Sequence, residues 1–311
     1  MVDRASTFAD DETLALLRTK YIAFAPSLTE ILKSRDSAGD FFRKVVNQRA
    51  EPRHSKQGYY ICSPDGTLIK GWMYPRPDDG TMKRYLKEAL AAYRSPQQVE
   101  ALDQTKVDRY ANPLLPEGAA VAEVFTKLVD AAWQPTNLER FSLIRGAVGR
   151  DRFWITKAER LELSKGTLAD SLLERMIRFH FVDNTRGVPA MWQKGDLKAL
   201  QIKTTRQNDT LHVEGTVRLE EADNRRFEAK IEGKIELKGE TLSRFDLVVK
   251  GSHSARRPDV GEVPTGSAKL AIAFALLPPG DDPRIPPLYT WHGDYLKTDK
   301  LRVPEIRQSS N

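Results

Sequence analysis

The spacing of hydrophobic and polar positions changes along the chain, and this change divides it into two regions. In the first region apolar residues recur mostly at helical intervals, as they do between Phe41 and Val46. From Asp196 to Leu277 the period becomes two, most clearly where the apolar residues of Phe227–Leu237 alternate with charged ones. The chain is therefore predicted to be α+β, with a C-terminal antiparallel β-sheet or open barrel.

The first 96 residues are predicted to form one domain with the order helix, strand, helix, hairpin, helix. A Pro-Asp-Gly turn joins the two strands of the hairpin, because Pro64 presets its own φ and Gly66 tolerates a positive one. The predicted elements are a helix over 10–19, a strand over Tyr21–Ala25, a helix at Phe41–Val46, the hairpin Tyr59–Trp72 and a helix over Thr81–Arg94.

Residues 97–190 are predicted to be a helical connecting region. Gln97–Pro116 is typical of a linker, and the apolar spacing of Glu117–Trp133 predicts a helix. Phe141–Ile144 and Arg152–Ile155 are predicted to be short strands. Thr167 is expected to cap a helix whose apolar stripe ends at Phe179.

Residues 191–298 are predicted to form the β domain, followed by a tail at 299–311. About five strands are expected, and Gly233 in the middle of the clearest one predicts a bend or bulge. The segment after Pro278 is rich in proline and polar residues and is expected to lie over the surface. The predicted strands centre on Leu200–Lys203, Leu211–Leu219, Phe227–Leu237, Phe245–Val249 and Leu270–Leu276.

The composition narrows the class of protein. Apolar residues make up 40% of the chain and charged residues 30%, as in globular proteins. The sequence contains no apolar run of the roughly 18 residues that a membrane helix needs, and no signal pattern at its N-terminus. A soluble, cytoplasmic protein is expected, and an exported form stays open if an upstream signal has been removed. Cys62 is the single cysteine, which excludes an intrachain disulfide, and we expect it to be a small buried residue.

Charge and motifs reduce the range of functions further. The net charge of +6 is spread among acidic residues, which argues against nucleic-acid binding. The sequence has no G-x-S-x-G, P-loop, G-x-G-x-x-G or H-E-x-x-H motif. No cofactor is indicated, and whether the protein is an enzyme stays open.

One stretch concentrates side chains that can do chemistry. His180 to Gly187 places a base, a carboxylate, an amide and a guanidinium at a helix end, where they are able to bind an anion or a metal. The alternative is an ordinary helix C-terminus with turn hydrogen bonds and an Asp–Arg pair. The candidate ligand or metal cluster is His180, Asp183, Asn184, Arg186 and His253, the last placed just after a strand.

The N-terminal third resembles the second half of a thioredoxin-like domain, over about residues 5–95. The run Thr7–Leu17 followed by Tyr21–Phe24 is similar to a helix and strand of that superfamily. The hairpin Tyr59–Trp72 resembles its last two strands, and the helix over Thr81–Arg94 resembles its closing helix. The resemblance implies a thioredoxin-like fold for this part of the chain.

The same comparison implies that the redox chemistry is absent from this chain. The first strand and the Cys-x-x-Cys motif of the family have no counterpart here, and Gln57 stands where the family has a cis-proline. The two-part pattern, with the stretch Val182–Gly187 leading into a β domain, also resembles uncharacterised bacterial proteins. That likeness implies no activity.

Three functions follow from these observations. The first is a non-catalytic binding or scaffolding protein with an unidentified protein or small-molecule partner. The second is a metal- or anion-binding enzyme whose site combines the His180–Gly187 helix end with the β domain. The third is a redox protein whose catalytic segment lies upstream of this chain. Convergence of the histidines in one place would favour the second.

Overall fold

The chain forms two compact units, Val2–Pro113 and Leu114–Asn311. The computed structural model describes residues 10–24, 26, 28–49, 56–73, 80–96, 114–129, 148–185, 189–222, 225–254, 267–281, 283, 285–290 and 295–296, and the backbone of 306–309.

In the described residues of the N-terminal unit, four helices accompany a two-stranded antiparallel sheet. Asp10 caps the first helix by accepting a hydrogen bond from the Thr13 N–H, and Asp36 caps the third in the same way from Gly39. The elements are α1 Asp11–Lys20, α2 Leu28–Lys33, α3 Ser37–Val46, β1 Tyr59–Cys62, β2 Leu68–Trp72 and α4 Thr81–Ala92.

Most of the predicted elements of this unit are confirmed. Helix α4 buries Met82, Leu86 and Ala89 against Ile61 of the hairpin, as its apolar stripe predicted. The predicted strand at Tyr21–Ala25 is wrong over its described residues 21–24, which belong to no strand. An apolar run this short carries little periodic signal, and no neighbouring described strand pairs with it.

The C-terminal unit is built on one large sheet with the strand order β10-β5-β6-β7-β8-β9-β3-β4. The seven strands from β5 to β4 pair antiparallel, and β10 pairs parallel to β5. The strands are β3 Ala120–Leu128, β4 Gly149–Ile155, β5 Leu197–Gln207, β6 Thr210–Glu220, β7 Arg226–Lys238, β8 Thr241–Ser254, β9 Ser267–Leu276 and β10 Ile306–Ser309. The helices in the described part of this unit are α5 Lys157–Ser164 and α6 Asp170–Arg175, which continues into a π-helical turn at Met176–His180. A 3₁₀ turn covers Lys194–Asp196.

Alternation in the strands places one face of the sheet on the core. In β7, Phe227, Ile231 and Ile235 are buried while the charged residues between them face outward. Gly233 is predicted to make a bend or a bulge, and the bulge is wrong, because the pairing with β8 runs through it without a register shift. Gly233 allows a close approach instead: a Cβ there would lie 2.2 Å from Cδ2 of Leu247.

The predicted helix at Glu117–Trp133 is wrong, since its described residues contain strand β3. Val121, Val124 and Leu128 fit helical spacing, but Val124 and Leu128 also fit the alternation of a strand, in which Ala122 and Thr126 are buried with them. Pairing with β9 on one side and β4 on the other decides between the two patterns.

The unit boundary also differs from the predicted domain limits. The described residues between 114 and 190 contribute β3 and β4 to the same sheet as the strands after residue 196, so these residues belong with the β domain. The predicted strand Arg152–Ile155 is confirmed within β4, and Phe141–Ile144 lies outside the described residues.

The segment after Pro278 contributes to the core, contrary to the prediction that it lies over the surface. Tyr289 and Tyr295 are only 1% and 2% exposed. Strand β10 lies within the predicted tail at 299–311 and adds to the edge of the sheet beside β5. Sparse aromatic residues among prolines gave no periodic signal for either feature.

A helix runs through the core of this unit. Every residue from 172 to 185 is buried, whereas the stripe expected for a surface helix would bury one face only. Aromatic rings of the sheet pack around it, including Phe153, Phe227 and Phe274. No helix within the described ranges is long and apolar enough to cross a membrane.

Candidate functional site

The C-terminal end of the buried helix carries a π-helical turn. The Phe181 N–H donates to the carbonyl of Met176 at 3.0 Å, one residue further along the helix than in an α-helix. Such turns add a residue to the helical repeat and are frequent at functional sites. Here the turn ends at His180, the first residue of the predicted cluster.

His180 lies between a carboxylate and a hydroxyl. Its Nδ1 is 3.3 Å from Oδ2 of Asp151 on β4, and its Nε2 is 2.9 Å from the hydroxyl of Tyr295. The second carboxylate oxygen of Asp151 accepts a hydrogen bond from the Leu288 N–H at 2.8 Å. All three side chains are buried. The contact with Tyr295 fixes Nε2, whereas Nδ1 lies near Asp151 without a hydrogen bond to any described residue. Together the three side chains connect the segment after Pro278 to the helix and the sheet.

Burial keeps the hydroxyl of Tyr295 protonated. It raises the pKa of Tyr295 well above the ordinary value of 10.0, and the nearby guanidinium of Arg175 offsets part of this rise. The rings of Phe153 and Phe274 meet the His180 ring edge to face, at centroid distances of 5.2 and 6.2 Å. The chain of Asp151, His180 and Tyr295 is therefore enclosed by apolar groups.

Beyond His180 the helix end forms a tight turn. Asp183 accepts hydrogen bonds from both the N–H and the hydroxyl of Thr185, which is the arrangement of an Asx turn. Asn184 packs on Gly149 of β4, where a Cβ would lie only 1.8 Å from the Asn184 Oδ1. Glycine at position 149 is therefore needed for the helix end to approach the sheet.

Arg225, just before β7, is a buried cation near the helix end. Its side chain is 6% exposed, and its Cζ lies 3.8 Å from the centre of the Trp192 ring. Neither Nη atom has a hydrogen-bond partner among the described residues. Burial lowers the pKa of Arg225, and the charges of Glu221 and Asp183 are among those that oppose this shift.

Trp192, whose ring contacts Arg225, is held in place by hydrogen bonds to the helix end. The indole N–H of Trp192 donates to the carbonyl of Phe181 at 2.8 Å, and the Trp192 backbone N–H donates to the carbonyl of Arg178 at 2.9 Å. Trp192 is fully buried. Because its own donors are already used, the ring offers Arg225 a flat apolar surface and no competing acceptor.

Tyr289 is close enough to both Asp151 and Arg225 for their charges to affect its pKa. Its hydroxyl donates to the carbonyl of Pro189 at 2.6 Å. Burial and the charge of Asp151 raise the pKa of Tyr289, while Arg225 acts against them. We name a set of six buried polar side chains at this end of the helix the helix-end cluster: Asp151, His180, Asp183, Arg225, Tyr289 and Tyr295.

The residues of the predicted site do not all lie at the helix end. His180, Asp183 and Asn184 lie at the helix end, and Arg186 lies outside the described residues. His253 belongs to β8 instead of following a strand; it is buried, and its ring meets Phe227 at a centroid distance of 5.9 Å. Over the described ranges, no group of three or more His, Cys, Asp or Glu side chains is arranged to hold a metal ion.

Sequence reasoning missed four of the six residues of the helix-end cluster. Asp151, Arg225, Tyr289 and Tyr295 come from four separate segments, and no spacing along the chain connects them with His180. The alternation of β4 gave one usable signal, because it places Asp151 on the same face as the buried Phe153. A carboxylate on the buried face of a strand requires a partner.

The pKa of the Cys62 thiol is shifted in the direction opposite to that of an activated thiol. It is half-buried at the end of β1, and burial together with the charge of Asp65 raises the pKa of its thiol. The thiol form is therefore favoured at neutral pH. This agrees with the expectation of a structural residue, although Cys62 is less buried than expected.

Comparison with known proteins finds no matching family model, no similar protein of known function and no similar solved structure. The chemistry of the helix-end cluster itself therefore carries the functional argument.

Proposed function

We propose that this is a non-catalytic binding protein whose C-terminal unit takes a small molecule at the helix-end cluster. The observation that carries the proposal is Arg225, whose two Nη atoms are buried without a hydrogen-bond partner among the described residues. An unpaired buried charge costs several kcal/mol, so native proteins rarely keep one without a use. A ligand that offers acceptor atoms to Arg225 would remove this cost.

The other charges of the buried helix show how the unit treats structural arginines. Arg175 pairs with Glu159 and donates to the carbonyl of Trp154, and Arg178 pairs with Glu174 at 3.0 Å. Arg225 has no such pair, although it is almost as buried. This contrast supports a binding role for Arg225 over a structural one.

For the N-terminal unit we propose a thioredoxin-like, structural role. Its order of helices around the hairpin β1–β2 and the closing helix α4 supports this proposal. The raised pKa of the Cys62 thiol supports a role without redox chemistry in the described part of the unit.

The enzyme alternative draws its support from the chain of Asp151, His180 and Tyr295, whose order of carboxylate, imidazole and hydroxyl is the order used in general acid–base catalysis. Its burial weakens the case, because Tyr295 keeps its proton and apolar rings enclose the imidazole. Binding without turnover is therefore the first proposal.

The test is a screen of small-molecule mixtures against the full chain by ligand-observed NMR. Binding is then remeasured in Arg225→Gln and Arg225→Met, which remove the guanidinium whose Nη atoms lack a partner among the described residues. Arg218→Gln is the matched control, since Arg218 is exposed on β6. We expect hits that lose at least tenfold in affinity in the two Arg225 variants and bind normally to the control.

The same samples separate binding from catalysis. Ligands recovered chemically unchanged after prolonged incubation support the non-catalytic function, and conversion that disappears in His180→Gln would replace it with the enzyme alternative. Hits that bind all variants equally would place the binding surface elsewhere and overturn the proposal.

A further inference from the structure

We infer that the ligand carries a carboxylate group, which Arg225 binds end-on through Nη1 and Nη2. This inference rests on the binding function proposed above and names the chemical class of the ligand. Both atoms that form the end of the guanidinium fork lack a partner in the described part of the chain, so the free donors form a matched pair.

The stacking of Arg225 favours a planar acceptor. Its Cζ lies 3.8 Å from the Trp192 ring centre, so the ring covers one face of the guanidinium. The free N–H groups therefore project from the edge of the guanidinium and not from that face. A carboxylate lies in the same plane as the fork and accepts two parallel hydrogen bonds.

The surrounding charge favours a single negative charge on the ligand. Carboxylates of Glu221, Asp196 and Asp183 act on Arg225 electrostatically, although none of them is hydrogen-bonded to its Nη atoms. A second negative charge on the ligand doubles its repulsion from these three carboxylates as well as its attraction to the one guanidinium, so the carboxylates offset more of the binding energy of a dianion such as sulfate than of a monoanion. We therefore expect a monoanion to bind more tightly than sulfate or doubly charged phosphate.

Trp192 provides the readout. We propose titrating the full chain with acetate and propionate while following the indole N–H of Trp192 in ¹H–¹⁵N NMR spectra. Trp192→Phe identifies this signal among those of the 5 tryptophans. We expect a saturable shift with the carboxylates. Acetamide and sulfate, tested at constant ionic strength, are expected to require at least tenfold higher concentrations.

Two substitutions test the role of Arg225. Arg225→Gln is expected to abolish the saturable shift, and Arg225→Lys, which keeps the charge but not the planar fork, to weaken it about tenfold. Arg218→Gln should respond like the wild type. If Arg225→Gln does not fold, the comparison of Arg225→Lys with the wild type decides.

The outcomes separate this inference from the proposed function. An acetate shift that persists in folded Arg225→Gln, or sulfate saturating below acetate, overturns the carboxylate assignment. Neutral hits that perturb Trp192 when acetate does not would also overturn it, while leaving the binding function intact. If nothing in the screen binds the cluster, both the inference and the function fail.

Discussion

The middle of the buried helix and its C-terminal end treat buried arginines in opposite ways. Arg175, in the middle, is 1% exposed and pairs with Glu159. Arg225, at the end, is 6% exposed and rests on Trp192 without a hydrogen bond to either Nη atom from the described residues. A buried charge is tolerated when it is paired. We therefore read the paired Arg175 as a stabilising residue, whereas Arg225 lacks an acceptor among the described residues.

The largest effect is expected from breaking the ion pair between Arg175 and Glu159. Arg175→Met removes one partner of an enclosed ion pair and leaves the carboxylate of Glu159 buried. We expect the free energy of unfolding to fall by about 3–5 kcal/mol, measured by urea denaturation followed by tryptophan fluorescence. The double variant Arg175→Met with Glu159→Gln should recover part of the loss, because no unpaired charge is left.

Some of the loss in that double variant has a second source. Glu159 also accepts from the Thr156 N–H in the capping box of α5 and from the hydroxyl of Ser171. If the free energy of unfolding fell by less than about 1 kcal/mol in Arg175→Met, the Arg175–Glu159 pair would contribute little to stability, contrary to our expectation.

The next effect tests how closely the helix end approaches the sheet. In Gly149→Ala the new Cβ would lie 1.8 Å from the Asn184 Oδ1, so the helix end must shift. We expect a loss of about 1–3 kcal/mol in thermal denaturation. Gly195→Ala is the control, since a Cβ there meets nothing within 4 Å. Equal stability of the two variants would contradict the packing of Asn184 on β4.

These contacts also show what the sequence could predict. The strand alternation of Phe227–Leu237 and the helix containing Leu172 follow from local periodicity, and both are confirmed. Helical and strand spacing coincide at Val124 and Leu128, which are four residues apart, so the strand there depends on its neighbours β9 and β4, which no local pattern reveals.

For the candidate site, too, local patterns predict some residues and tertiary contacts decide the others. His180 and Asp183 were recognisable because unlike polar groups are concentrated at a helix end. Asp151 and Tyr295 meet His180 only through the pairing of β4 and the path of the chain after Pro278. The partners of a site residue depend on tertiary contacts, and those contacts were not encoded in any spacing along the chain.

A smaller effect concerns pH. The pKa of Tyr295 is raised in the folded protein, so this tyrosine keeps its proton above pH 10 while the unfolded chain loses it. Stability is therefore complete below about pH 10 and falls above it, by about 1.4 kcal/mol per pH unit for each such tyrosine. Unfolding free energies between pH 9.5 and 11 should decline less steeply in Tyr295→Phe. Tyr289→Phe should behave alike, because burial shifts its pKa in the same direction. An unchanged slope in both variants would mean that neither hydroxyl is enclosed.

The smallest effect has the opposite sign and gives the sharpest test of the comparison. Arg225→Met replaces an unpaired buried charge with an apolar side chain that can still pack on Trp192. We expect unfolding to require about 1 kcal/mol more than in the wild type, while binding at the helix-end cluster is lost. Arg178→Met is the matched control, because it breaks a pair with Glu174 and should destabilise the protein. If Arg225→Met lost as much stability as Arg178→Met, Arg225 would be as structural as the arginines of the helix, and its free donors would no longer indicate a ligand.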